Sequence, residues 1–333
     1  MTDFPALTLE TPAEHPFAQF VRILGKGKRG ARDLTREEAR VAMGMVLDDK
    51  VEDTQLGAFL MLLRHKEESA EEMAGFTEAL RERLQAPALN VDLDWPTYAG
   101  KKRHLPWYLL AAKCLAQNGI RIFMHGAGAH TAGRLYSEQL LDALNIPLCR
   151  NWQQVGAALD NGGLAFMPLV DWAPQLQRMI DLRNTLGLRS PIHSLARLLN
   201  PLNARCGLQS IFHPGYQGVH RDASGLLGDN VIVVKGDGGE VEINPDTLSH
   251  LYGTTGGESW AEEWPALSDQ RHVKPATLEP EHLKALWRGD VEDSYPQLAL
   301  IATMALALRG LGHPREQAFE LAQHYWDARD KSI

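Results

Sequence analysis

Two short stretches of this chain concentrate positive charge: Lys26, Lys28, Arg29 and Arg32 in one, and Lys101, Lys102 and Arg103 in the other. Lysine and arginine clusters neutralise phosphates without reading base sequence. Tyr98 and Trp107 flank the second cluster. Aromatic rings beside cations can stack the bases of a single strand, although both residues are also of ordinary core size. A third group, Arg183, Arg189, Arg197 and Arg205, shares one segment with His193. The ordinary alternatives are a solvated charge run for the clusters and hinge ion pairs for Arg183 and Arg189.

Other patterns carry less chemistry. Gly25, Gly27 and Gly30 fit the GxGxxG spacing. A dinucleotide loop needs a strand before it and a helix directly after it. Here Phe17, Phe20, Val21 and Leu24 repeat at helical spacing, and the next cap is Thr35. The glycines therefore read as a helix–helix turn or a flexible basic loop. Residues 253–258, GTTGGE, have the composition of a phosphate loop and are read as a mobile loop. His125 and His193 have no acid close by in sequence, which favours satisfied buried histidines over catalytic ones. Cys114, Cys149 and Cys206 are odd in number and far apart, with no CxxC. They give no metal or disulfide framework and suit a reducing cytosol. No metal and no cofactor is expected.

A chain of 333 residues suffices for one large or two medium domains. Its net charge of −8 argues against a surface coated in nucleic acid. It allows a basic groove on an acidic body, because binding follows local potential. No apolar run approaches the ~18–20 residues needed to cross a bilayer. The opening MTDFPALTLETPAEHP has no basic or apolar region of a signal peptide. The expectation is a cytoplasmic protein with no membrane partner.

The elements that must position these residues fall into two groups. Up to about residue 85, apolar stripes at helical spacing and two capping boxes, Thr35 with Glu38 and Ser69 with Glu72, predict four consecutive helices. A linker rich in Pro and Asp, residues 86–96, follows. Strands are then predicted over 120–125, 164–168, 208–213 and 231–235. Helices are predicted over 106–117, 132–144, 174–186, 191–199, 281–287, 295–309 and 315–327. Such alternation implies a mostly parallel sheet covered by helices.

Two of these segments carry a resemblance. Asp53–Leu80 reads DTQLGAFLMLLRHKEESAEEMAGFTEAL, and residues 184–201 read NTLGLRSPIHSLARLLNP. Both are similar to segments of anthranilate phosphoribosyltransferases of glycosyltransferase family 3, with Arg189 and the Asn200–Pro201 pair in register. The resemblance spans roughly residues 15–325. It implies an α/β fold with a small all-helical N-terminal domain and a larger domain built on a mostly parallel central sheet. The division expected is a flexible arm over 1–14, a helical domain over 15–88 with part of 173–200 packing back onto it, and an α/β domain over 89–333.

The family's chemical motifs are degraded. Its GTGGD phosphate loop corresponds to Tyr98–Trp107, YAGKKRHLPW, where only Gly100 is kept. Its KHGNR motif becomes Met124–Gly128, which keeps His125 and Gly126. The Asp–Glu pair that holds magnesium becomes Gly239–Glu240. Arg197 replaces a proline, and His193 an asparagine. These changes resemble the YbiB-like, second TrpD-type branch of the family. That resemblance implies a homodimer whose basic grooves bind nucleic acid, single-stranded DNA or RNA being favoured, with little sequence preference. The contacts expected are Lys26, Lys28, Arg29, Lys101, Lys102, Arg103, Arg197 and Arg205. Gly100, His125, Gly126, Arg189, His193 and Asn200 would line a degenerate substrate cleft. An active phosphoribosyltransferase that reaches pyrophosphate through lysine and arginine is the alternative, and a small-ligand sensor is a third possibility. Apolar Leu56, Met61, Leu62 and Leu63 nearly encircle their helix, which also suggests a dimer through the helical domain.

Overall fold

The structure is a computed structural model that describes residues 13–333 other than 129, 214 and 270. Most of the arm expected over residues 1–14 lies outside the described residues. Four helices come first: α1 (Ala18–Gly25), α2 (Arg36–Leu47), α3 (Asp53–Lys66) and α4 (Ala70–Arg81). α2 and α4 begin at the two capping boxes. Thr35 and Ser69 accept from the N–H groups of Glu38 and Glu72, whose carboxylates reach back to the cap N–H groups.

One seven-stranded sheet follows, in the order β3-β2-β1-β4-β5-β6-β7. Strands β1 (Leu93–Thr97), β2 (Ile122–Gly126), β3 (Leu164–Pro168), β4 (Cys206–Ser210) and β5 (Val231–Val234) are parallel. Strands β6 (Ser249–Thr255) and β7 (Glu258–Trp264) add an antiparallel hairpin. The five parallel strands are buried throughout, as a sheet covered on both faces requires. α5 (Tyr108–Gln117) and α6 (Trp152–Gly162) make the first crossovers. Between β3 and β4 lie α7 (Leu169–Trp172), α8 (Pro174–Asp181), α9 (Arg183–Leu186) and α10 (Ile192–Leu195). α11 (Tyr216–Leu227) joins β4 to β5. α12 (Glu281–Arg288), α13 (Ser294–Gly310) and α14 (Arg315–Ala328) end the chain.

Alternate strand residues serve two cores. Trp95, Ile122, Met124 and Phe166 pack with α5, α13 and α14. Phe123, Ala165 and Met167 share a core with Phe59, Leu60 and Phe76 of the N-terminal helices. Met179 and Ile180 of α8 and Leu195 of α10 join that second core. The Gln175 amide donates to the Leu47 carbonyl at 2.7 Å, and Arg81 donates to the carbonyls of Leu198 and Leu199, both at 2.8 Å. Segment 174–200 is therefore bound to the helical bundle, although it follows β3 in the chain.

Three expectations need correction. The supposed linker contains β1, which Asp94 and Pro96 disguise as a loop. Pro96 is tolerated in a central strand because β4 pairs only with Leu93 and Asp94. Residues 132–144 form two 3₁₀ turns, Ser137–Gln139 and Asp142–Leu144, instead of an α-helix. The Leu135 N–H and carbonyl are used in a bridge to Lys101, both bonds 2.8 Å long, which holds this stretch extended. Residues 253–258 are the turn end of the β6–β7 hairpin. Gly256 and Gly257 both take positive φ, as a two-residue hairpin turn of this kind demands. Gly253 must be glycine because a Cβ there would lie 2.2 Å from the Trp260 ring.

Candidate functional site

Parallel strands bring their following loops to one edge, where ligands of open α/β sheets bind. Here the loops after β1, β4 and β5 meet. Gly100 turns the first loop at φ +67 with the Tyr136 ring against it. This points the N–H groups of Ala99 and Gly100 at one oxygen, Oε1 of Glu240, at 2.7 and 2.6 Å. The other Glu240 oxygen is buried with no hydrogen-bond partner. Burial pushes the Glu240 pKa up, against the pull of Arg197 and the two N–H groups.

A second carboxylate fills the adjacent position. Glu242 accepts from the Tyr108 N–H at the start of α5 at 2.9 Å and from Lys101 Nζ at 2.6 Å. Burial pushes Glu242 up to about 7. Lys101 Nζ also donates to the Asp237 carboxylate and, at 3.2 Å, to the Asp237 carbonyl. The Lys101 side chain is 1% exposed. Burial lowers its pKa, but Glu242 and Asp237 outweigh that and hold it above the usual lysine value. Lys101 is thus a buried internal counter-ion. Its expected place among surface phosphate contacts is corrected, because the backbone bridge to Leu135 turns this side chain inward.

Beside this plugged cradle lies an open cleft of about 280 Å³. Arg64, Arg134, Arg189 and Arg197 line it, with His193 and Phe212. Among the described residues, none of the four arginines has a carboxylate within ion-pair distance. Arg134 is bonded to the carbonyls of Ala99, Gly100 and Gly238 at 3.1, 2.8 and 3.2 Å, and so ties the two loops together. Arg189 donates to Thr131 Oγ1 at 3.2 Å. Arg197 donates to the His193 carbonyl, and its guanidinium lies 5.7 Å from the Tyr98 ring centre. Burial lowers the pKa of both Arg189 and Arg197; the Glu240 carboxylate opposes this, most strongly at Arg197, and neighbouring arginines add to it. With no carboxylate in ion-pair contact with either guanidinium among the described residues, both can attract an anion that enters the cleft.

Lys102 and Arg103 share a loop with the cleft residue Ala99 and are exposed. Lys26, Lys28 and Arg29 are also exposed, and Asp33, further along their loop, pairs with Lys66 at 2.6 Å. Lys66 lies between the cleft residues Arg64 and Glu68. No ion pair engages Lys26, Lys28, Arg29, Lys102 or Arg103 among the described residues.

Several expected site residues serve the fold instead. Arg205 precedes β4, at the opposite end of the sheet, and pairs with Asp92 at 3.0 Å. Asn200 makes a turn: its side chain accepts from Ala204 N at 2.7 Å and donates to the Ala204 carbonyl at 3.2 Å. Gly126 ends β2, where a Cβ would lie 2.3 Å from the Thr97 carbonyl. His125 is fully buried, 2.7 Å from the Tyr98 hydroxyl and 3.2 Å from Asp94. Its acid comes from the neighbouring strand, which explains why sequence proximity did not reveal it. Tyr98 and Trp107 are buried core residues. The exposed ring at the cleft is Phe212, 58% exposed, with Lys235 Nζ 5.8 Å from its centre. Neither Phe212 nor the cleft arginines Arg64 and Arg134 were singled out in the sequence, because each stands alone there.

Residues 20–84 match the helical bundle domain of the glycosyl transferase family. The chain is 30% identical over 241 residues to the uncharacterized protein YbiB of Escherichia coli, covering 71% of this chain and 75% of that one. It is 29% identical over 249 residues to an anthranilate phosphoribosyltransferase of Novosphingobium aromaticivorans, covering 73% and 72%. Two solved anthranilate phosphoribosyltransferases share its fold at a TM-score of 0.74. One, from Thermus thermophilus, is 22% identical and covers 94% of both chains. The other, from Saccharomyces cerevisiae in complex with PRPP and Mg, is 17% identical and covers 94% and 93%. The chain belongs to the anthranilate phosphoribosyltransferase-like proteins of glycosyltransferase family 3, in their YbiB-like branch.

The residues present do not fit phosphoribosyl pyrophosphate with magnesium. The backbone N–H pair of the first loop is taken by Glu240, and the start of α5 by Glu242. The neighbouring carboxylates of Asp237 and Glu242 are already paired with Lys101.

Two buried histidines give this region a pH dependence. Burial pushes His193 and His220 down to about 3; His130 and Arg189 add to this for His193, and Arg197 for His220. His220 Nδ1 donates to the Gln209 side chain at 2.8 Å. As pH falls below about 6.5, only the unfolded chain binds these protons. Their stabilising contribution is therefore complete above that pH and is lost as pH falls toward about 3. Each contributes a slope of ~1.4 kcal/mol per pH unit. In denaturant titrations between pH 6 and 4, His220→Gln should flatten the slope by about that amount.

Proposed function

We propose that this protein binds nucleic acid with little sequence preference and does not transfer phosphoribose. The observation that carries the reading is the exchange at the sheet edge. The anion-binding backbone groups are occupied by the chain's own Glu240 and Glu242, while a cleft of unpaired arginines lies open beside them. The contact set is Lys26, Lys28, Arg29, Lys102 and Arg103 outside the cleft, and Arg64, Arg189 and Arg197 within it. Phe212 offers a face for base stacking. Such contacts address phosphates, so affinity follows charge and salt more than sequence. The test is a titration with labelled single-stranded oligonucleotides of unrelated sequence. Dissociation constants that agree within about threefold support the reading; no binding at 50 mM salt overturns it.

The protein acts as a homodimer in this reading, in the cytoplasm, where its three buried free cysteines stay reduced. Met61 and Leu62 of α3 are only half-buried in the single chain, and Val41 of α2 is 42% exposed, so apolar surface remains on the helical domain. Light scattering at micromolar concentration should give twice the monomer mass; a stable monomer contradicts the dimer.

A further inference from the structure

A second constellation lies away from the arginine cleft, where α13 begins. Ser294 Oγ is 2.9 Å from His272 Nε2, and His272 Nδ1 is 2.7 Å from Asp246 Oδ1. The other Asp246 oxygen accepts the His272 backbone N–H at 2.8 Å. Asp246 therefore fixes both the position of the ring and its tautomer. The proton sits on Nδ1, leaving Nε2 as an acceptor for the serine hydroxyl. Exposure rises along the chain of three: 7% for the Asp246 side chain, 22% for that of His272, and an exposed Ser294. An acid shielded from water, a half-covered base and an open hydroxyl are what nucleophilic acyl transfer requires.

Two further features complete the arrangement. A cavity of about 310 Å³ adjoins it, lined by His272 and by Tyr295 and Pro296, which follow Ser294. Leu105, Trp107 and Val273 give it an apolar wall, and Glu279 and Asp293 place carboxylates on it. Ser294 is also the first residue of a seventeen-residue helix. The first N–H groups of a helix have no intrahelical partner, and they carry partial positive charge. The N–H groups of Ser294 and Tyr295 belong to that first turn.

We propose that Ser294, His272 and Asp246 form a hydrolytic site for small uncharged carboxylic esters with an apolar side. The apolar wall favours an uncharged acyl group, and Glu279 adds a carboxylate that disfavours an anionic one, whereas Asp293 is paired with His282 at 3.2 Å. Ser294 Oγ adds to the ester carbonyl carbon while its proton passes to His272 Nε2. The tetrahedral adduct expels the alcohol, which takes that proton and leaves an acyl–Ser294 ester. Water then adds to the acyl carbon, again giving a proton to Nε2. Collapse returns that proton to Ser294 Oγ and releases the carboxylic acid. The sum is ester plus water giving acid plus alcohol, with no other reactant. None of these residues belongs to the nucleic-acid surface, so the two readings stand or fall separately.

The experiment treats the full-length chain with a fluorophosphonate probe and with p-nitrophenyl acetate and butyrate. The expected result is a phosphonyl group mapped to Ser294 and saturable nitrophenol release. Ser294→Ala should abolish labelling and lower kcat/KM at least about 100-fold with an unchanged Tm, and His272→Ala should slow labelling to a similar degree. The proposal is overturned if Ser294 is not labelled, or if Ser294→Ala and wild type hydrolyse the esters alike. Labelling of Ser294 without turnover of either ester overturns the substrate assignment. If His272→Ala lowers Tm but leaves Ser294 labelling unchanged, His272 only ties its loop to α13, and the triad is refuted.

Discussion

Lys101→Met is expected to lower folding stability by about 3–5 kcal/mol, the usual cost of removing one partner from a buried ion pair. Lys101 is 1% exposed and lies between Asp237 and Glu242, whose side chains are 18% and 0% exposed. Methionine fills nearly the same volume, so the loss is electrostatic and not a cavity. The double variant Lys101→Met with Glu242→Gln should recover part of the loss, because it removes one stranded carboxylate with its cation. Replacing the exposed neighbours Lys102 and Arg103 should leave stability unchanged. Urea denaturation of the four proteins checks this. A Lys101→Met protein as stable as wild type would mean that the side chain is free in solution, and the plugged cradle would have to be abandoned.

Phosphoribosyl anthranilate should not form. With anthranilate, phosphoribosyl pyrophosphate and magnesium, turnover is expected at least about 10³-fold below that of a working transferase, since losing one preorganised donor already costs about 10²–10³. Here two loop N–H groups and the start of α5 are occupied by the chain's own carboxylates. A coupled assay that follows loss of anthranilate fluorescence measures this. Turnover within tenfold of a functional relative would show that Glu240 and Glu242 move aside for substrate, and would restore the transferase reading.

The fold was legible because its signals are local. Capping boxes at Thr35 and Ser69 and apolar runs such as Val231–Val234 each carry their own physical cause. β1 escaped because Asp94 and Pro96 are poor strand formers, accepted there for a buried partner and for incomplete pairing. The site was half legible. Basic residues at 101–103 mark the changed phosphate loop, but sequence does not show which way each points. Lys101 turns inward to Glu242, a residue 141 positions away, whereas Lys102 stays exposed. Arg205 and Arg197 look alike in sequence and lie at opposite ends of the sheet, because a strand's N-terminal and C-terminal ends face different surroundings. The cleft itself is assembled from Arg64, Arg134, Arg189 and Arg197, which only the folded chain brings together.

The most direct test of nucleic-acid binding is the salt dependence of affinity for a fluorescent single strand, with wild type and the double variant Lys102→Ala/Arg103→Ala compared. Each neutralised phosphate contributes about −0.7 to the slope of log K against log salt, so the double variant should flatten the slope by about 1.4. It should lose affinity equally on unrelated sequences, since phosphate contacts carry no base information. An unchanged slope and affinity would make this loop a solvated face with no part in binding. Wild type that binds no strand at low salt would contradict the account at its centre.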